Sequence, residues 1–246
     1  NSKHRLAVVV GEGELPAIFI KYVKENNIPF LLIIFQGVSV DPQLSEENTF
    51  KCKFEEISDL FDRLDLEEIK YITFCGKMVR PELNVDLIKP KSLEILQPIL
   101  NCFNQGDDYL FRSIISVFRS FDIQTLNIAD FIPEILIPEG VMTKKVPSKS
   151  DIFDADRAEL ILKSVSSGDI GQSLVVSQGL CVAIETLPGT DAMLNFVSLH
   201  LLNSRPDKKI ESGILFKGKK RDQTILIDLP AVGPETVKRA HLAGLV

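Results

Sequence analysis

The chain has 246 residues, room for one large or two modest domains. With 45% hydrophobic residues, 25% charged residues, 14 Gly and 13 Pro, it has the composition of a folded globular protein, which excludes collagen-like and disordered classes. Lys and Arg number 28 against 34 Asp and Glu, a net charge of −6. That balance argues against nucleic-acid binding, which needs a cationic face, yet leaves room for a phosphorylated small molecule held by local cations and backbone N–H groups.

No apolar run approaches the roughly 18 residues that cross a bilayer. Residues 1–5 lead directly into an apolar strand, without the pattern of a secretory leader. Cys52, Cys75, Cys102 and Cys181 lack the close spacing of zinc or redox motifs and read as reduced, packed thiols. Together these features point to the cytoplasm.

The first half alternates strand and helix. Residues 6–10 form a β-branched run ending at Gly11, and residues 16–26 carry Ile18, Tyr22 and Val23 at helical spacing. A second strand spans 30–35. Phe54, Ile57, Leu60, Phe61 and Leu64 mark one helix face, and a third strand covers 71–74. Helices are expected at 93–103 and 108–121. This alternation predicts a parallel sheet with helices on both faces.

The pattern changes near residue 140, and the polar stretch 143–151 reads as a linker. The expected organisation is an N-terminal Rossmann-like α/β domain (1–140), a linker (141–152), and a smaller mixed α+β C-terminal domain (153–246). In the latter, a helix is expected at 154–166 and a hairpin at 174–177 and 180–186. A helix at 192–203 precedes a second expected hairpin at 214–217 and 223–229, and another helix is expected after Gly233.

Five loops carry residues suited to chemistry. Gly11-Glu12-Gly13 follows a strand and precedes a helix with Pro16 in its first turn, which reads as a tight turn or as a phosphate contact. A dinucleotide fingerprint needs a third Gly near 16 and an acid closing the second strand, and both are missing. Gly76, Lys77 and Arg80 follow the third strand, where ligands meet open parallel sheets. One of Asp107 and Asp108 is expected to cap the helix that follows, and Arg112 to pair with Asp108. Gly189-Thr190-Asp191 opens a helix, with Thr190 or Asp191 as its cap and Glu185 just before it. Asp228 ends a β-rich run beside another helix start, after the cationic loop 217–221. An acid, cations and a helix start together resemble a phosphoryl-transfer site.

With these loops in view, the sequence resembles the LpxI-type UDP-2,3-diacylglucosamine pyrophosphatases of lipid A biosynthesis. The matching segments are VGEGELP (10–16), FCGKMVRP (74–81), QGDDYLFR (105–112), DIGQSLVVSQGLCVAIETLPGTDAML (169–194) and IDLPAVGPETV (227–237). The resemblance implies two α/β domains holding a lipid substrate between them and hydrolysis of its pyrophosphate bond to UMP and 2,3-diacylglucosamine 1-phosphate with Mg²⁺. It places the catalytic residues at Asp228, Asp191 and Thr190, with Asp191 and Asp228 as metal ligands. Substrate-binding positions fall on Gly11, Gly13, Gly76, Arg80, Asp107, Asp108, Arg112, Gln172, Glu185, Gly189 and Lys220. The chain departs from the family pattern at Pro188, where an acid is usual, and at Thr224-Ile225-Leu226, where polar residues and an Arg are usual. Family members usually continue with a further strand and helix beyond the position of Val246. The alternative class is a noncatalytic nucleotide-sugar binder on the same scaffold. Peripheral contact with the inner membrane and homo-oligomerisation stay open.

Overall fold

The computed structural model describes residues 5–45, 48–78, 80–204, 207, 213–220, 223–227 and 229–245. The chain divides into two compact units. Unit 1 is Asn1–Ile137 with Thr224–Asp228, and unit 2 is Pro138–Gln223 with Leu229–Val246.

Among the described residues, unit 1 is built on a five-stranded parallel sheet. Its elements are β1 (Leu6–Val10), α1 (Leu15–Glu25), β2 (Phe30–Phe35), β3 (Thr49–Cys52), α2 (Ile57–Leu66), β4 (Tyr71–Cys75), α3 (Pro90–Asn101), α4 (Asp107–Ser120) and β5 (Gln124–Thr125). The strand order is β3-β2-β1-β4-β5, and Val8 pairs with both Leu32 and Thr73. Every residue of β1 and β2 is buried, because successive side chains enter opposite faces and both faces are covered. Ala7, Val9, Leu31 and Ile33 pack against Leu60, Phe61, Leu96 and Phe118 of α2, α3 and α4. Leu6, Val8, Leu32 and Ile34 meet Phe19, Ile20 and Val23 of α1 on the other face. The expected α/β class with helices on both faces is therefore present, with two strands added. β3 lies between the expected second and third strands, and β5 lengthens the sheet by two residues.

Unit 2 holds a three-stranded antiparallel sheet in the order β7-β6-β8, built from β6 (Ser173–Ser177), β7 (Leu180–Ile184) and β8 (Ile214–Lys217). The central β6 is wholly buried. Leu174 and Val176 pack on Ala158 and Leu162 of α5 (Lys149–Val165), and Val175 packs on Met193, Leu194 and Val197 of α6 (Thr190–Ser204). A last helix, α7 (Pro234–Leu242), closes the order. The mixed α+β class expected for the second half holds.

Two expectations are corrected. The helix expected from residue 154 begins at Lys149, because Ser148 and Asp151 form a reciprocal capping box that starts it inside the polar stretch. The second hairpin does not form. β8 pairs with β6, and residues 225–227 are a turn rather than a strand. Burial also divides the thiols. Cys52 and Cys75 are buried, and that desolvation pushes both thiols up to about 12, so they stay protonated, whereas Cys181 is exposed rather than packed.

The β6–β7 hairpin turns at Gln178 and Gly179, both at positive φ (52° and 79°), as a type I′ turn requires. The carboxylate of Asp154, only 1% exposed, accepts the N–H groups of Gln178 at 3.0 Å and Gly179 at 2.6 Å. Asp154→Ala leaves these two half-buried donors without their acceptor and should lower unfolding free energy by about 1–3 kcal/mol in urea titrations. A loss within error of zero would show that the turn forms without this anchor.

Candidate active site

In unit 1, the order β3-β2-β1-β4-β5 reverses direction at β1, so the crevice outside the carboxyl ends of β1 and β4 is the usual ligand position of an open sheet. Here backbone pairing bridges that crevice. Glu12 N–H donates to Lys77 O at 2.8 Å and Lys77 N–H donates to Glu12 O at 2.9 Å. The pairing explains two of the glycines. A Cβ on Gly11 would lie 2.3 Å from Lys77 O, and one on Gly76 would lie 2.8 Å from Glu12 O. Gly13 differs, with open space around it and φ of +103°. Beside the bridge opens a cavity of about 650 Å³, lined by Glu12, Gln36, Lys53, Phe54, Lys77 and Arg80 among others.

Arg80 is committed within the unit. Its guanidinium donates to Phe103 O at 2.5 Å, Gln105 O at 2.9 Å and Asp107 Oδ1 at 2.6 Å. Neither Asp107 nor Asp108 caps α4. The cap position is Gly106, and the two acids occupy the first turn, where the helix dipole favours negative charge. Asp108 accepts from Arg112 Nε at 2.6 Å, as expected, and from the N–H of Thr224 at 2.6 Å. Thr224 thus joins unit 1, which is why the β-branched run 224–227 leaves the second sheet. Asp228 lies outside the described residues.

In unit 2, the functional residues gather around Glu185, which is 9% exposed. Its carboxylate accepts the hydroxyl of Ser173, the hydroxyl of Thr190 at 2.9 Å and the N–H of Gln172 at 3.4 Å. Lys217 Nζ donates to Thr190 Oγ1 at 2.8 Å. The Thr190 hydroxyl is therefore engaged with Glu185 and Lys217, and Gly189 is the residue that precedes α6. The sheet register creates the group, since Ser173 on β6 pairs directly with Lys217 on β8. A second group joins it through Gln172, whose Oε1 accepts from Gln223 Nε2 at 3.1 Å. Gln223 Oε1 accepts the N–H of Lys220 at 3.0 Å, and Lys220 pairs with Asp169. Thus Gln172, Glu185, Thr190 and Lys220 are brought together. Asp191 follows Thr190 in α6 and is exposed, with Arg239 Nε 3.7 Å from its carboxylate. Ser173 and Lys217 complete the network and were not singled out from the sequence. The expected hairpin began its first strand at residue 174, and only strand pairing shows which lysine meets Ser173.

Next to Gly189, an apolar recess of about 320 Å³ is lined by Ala183, Ile184, Pro188, Ala192, Met193 and Phe196. Among the described residues, no three His, Cys, Asp or Glu side chains form a metal cage, and no helix is long and apolar enough to cross a membrane.

These features define a two-unit α/β protein that pairs a Rossmann-like parallel sheet with a unit carrying a buried carboxylate, hydroxyl and ammonium network at a helix start. The chain belongs to the LpxI family, with residues 5–135 matching the LpxI N-terminal domain and residues 138–246 the LpxI C-terminal domain. It is similar to the UDP-2,3-diacylglucosamine pyrophosphatase LpxI of Caulobacter vibrioides, with 27% identity over 243 residues, 98% of this chain and 86% of that protein.

The two glycines of the first loop should respond differently to substitution. Gly11→Ala drives a Cβ into a backbone carbonyl, whereas Gly13→Ala meets only backbone strain of about 1–2 kcal/mol. Urea unfolding should rank Gly11→Ala as clearly the more destabilising. Equal costs would mean that the bridged loops yield easily.

Proposed function

We infer that this chain hydrolyses the pyrophosphate bond of UDP-2,3-diacylglucosamine, giving UMP and 2,3-diacylglucosamine 1-phosphate in lipid A biosynthesis. In the reaction, a water oxygen bonds to one phosphorus and the bridging oxygen departs with its electron pair on the other phosphate. One water proton is released. The observation that carries the reading is local to unit 2, in a chain that matches both family domains. A buried network suited to phosphoryl chemistry lies directly beside an apolar recess, with Gly189 lining the recess and Thr190 belonging to the network. A substrate that is both a pyrophosphate and a lipid needs that combination.

Within this reading Thr190 meets the reacting phosphates through the backbone N–H groups at the start of α6, while its hydroxyl is held by Glu185. The acid of the DLP motif is Asp228. In this reading the cavity of unit 1 takes the nucleoside, with the ring of Phe54 in its lining and Lys53 and Lys77 beside Glu12, Glu55, Glu56 and Glu82. Gly11 and Gly76 serve that cavity by holding the bridge in place. The two acyl chains of the substrate imply peripheral contact with the cytoplasmic face of the membrane.

Mg²⁺ fits the donor set. The Asp191 side chain is 60% exposed and only loosely paired with Arg239, so its oxygens are open to a hydrated ion. One or two carboxylates with phosphate oxygens and waters suffice for Mg²⁺. Asp191 and Asp228 would hold it, and when bound it would neutralise phosphoryl oxygens.

Incubation of the purified chain with UDP-2,3-diacylglucosamine should release UMP, and Asp228→Asn should lower turnover by about 10³-fold while substrate binding and the melting temperature are retained. Binding without UMP release from the wild-type chain would favour the noncatalytic class. Near-normal turnover in Asp228→Asn would remove that residue from catalysis. Excess EDTA should abolish UMP release and added Mg²⁺ should restore it. Full activity in EDTA would exclude the metal.

A further inference from the structure

The sequence draws attention to Lys220 as the substrate-binding cation of the loop that follows β8, but the structure separates the lysines of that region. Lys220 and Asp169 form an ion pair in which both side chains are only 8% exposed. A buried ammonium with its own carboxylate has its charge cancelled, and breaking the pair leaves an unpaired charge in the interior. Lys220 is therefore spent on the fold.

Lys217 is in a different state. It ends β8 half-buried, and among the described residues its ammonium has one partner, Thr190 Oγ1 at 2.8 Å. An ammonium carries three donors and no acceptor, so two N–H groups remain uncommitted. The balancing charge in the network, Glu185, is reached only through the Thr190 hydroxyl, which accepts from Lys217 and donates its own hydrogen bond to the carboxylate. The relay orients the cation without neutralising it by direct contact. Partial burial also protects the charge from salt screening. The side chain is thus held in one place, charged, with donors to spare, next to the loop Gly189–Thr190.

We propose that Lys217 is the cation that meets the pyrophosphate of the substrate, its ammonium held in position by Thr190 and Glu185. The proposal rests on the pyrophosphatase reading and adds to it the phosphate-binding side chain of unit 2. A charge-assisted donor aimed at phosphate oxygens serves the ground state, and serves more strongly the departing phosphate as negative charge grows on it.

The test uses the full chain with Lys217→Met and Lys217→Arg. UMP release is followed kinetically, and UDP binding is measured separately by calorimetry. Lys217→Met should lower kcat/KM by about ten- to a hundredfold and weaken UDP binding by about tenfold, with the melting temperature close to wild type. Lys217→Arg, which keeps the charge, should recover most of both losses. Unchanged kcat/KM and UDP affinity in Lys217→Met would overturn the proposal. So would a loss that Arg does not recover and that tracks a lowered melting temperature, because Lys217 would then be structural. A wild-type chain that releases no UMP would sink the pyrophosphatase reading, and UDP calorimetry would still decide whether Lys217 holds a diphosphate.

Discussion

A carboxylate removed from water must be given donors, and Glu185 organises the functional end of unit 2 on that requirement. Its charge is met by the Ser173 hydroxyl at the start of β6, the Thr190 hydroxyl at the start of α6 and the N–H of Gln172. These donors come from two places, the start of β6 and the start of α6, so satisfying one buried anion locks a strand and a helix start into a single arrangement. Lys217 enters from the neighbouring strand and joins through Thr190 rather than by a direct ion pair. A direct pair would stabilise the anion more simply but would cancel the positive charge that a ligand could use.

Unit 1 uses close backbone approach to a similar end. The paired loops after β1 and β4 bring Glu12 and Lys77 together at 2.8 and 2.9 Å, a distance that no Cβ at Gly11 or Gly76 would permit. The bridge fills the crevice where a pyrophosphate lies in dinucleotide-binding sheets. The missing third glycine and missing acid of the fingerprint are consistent with this. Ligand space lies instead beside the bridge, toward the ends of β2 and β3, where Gln36 and Lys53 line it. Gly11 and Gly76 are thus accounted for by chain packing.

Where the sequence was legible, one physical rule applied without competition. β1, β2 and β4 read as strands because both faces are covered and nearly every residue is apolar. β3 escaped because Thr49–Cys52 is a short edge strand with Lys51 exposed, and its pattern is that of a loop. The run at 224–227 is β-branched enough to look like a strand, but the N–H of Thr224 finds Asp108 instead of a strand partner. The family motifs located Gly189, Thr190 and Glu185, yet composition and spacing could not separate Lys217 from Lys220. That choice depends on antiparallel register, which pairs Ser173 with Lys217, and on the burial of Asp169.

The departures from the family pattern can be weighed by what each position contributes. Pro188, expected from the resemblance to be an acid, lines an apolar recess with Ala183, Met193 and Phe196, where an apolar side chain suits hydrocarbon. The change at 224–226 is milder than it looks. The contact that ties this stretch to unit 1 is the backbone N–H of Thr224 donating to Asp108, and the turn is supported by Leu226 N–H reaching Thr224 Oγ1 at 3.4 Å. Ile225 and Leu226 supply no side-chain hydrogen bond to either contact. A backbone donor is available from any residue except proline, so the segment leading to Asp228 keeps its attachment to the start of α4 while its exposed side chains vary.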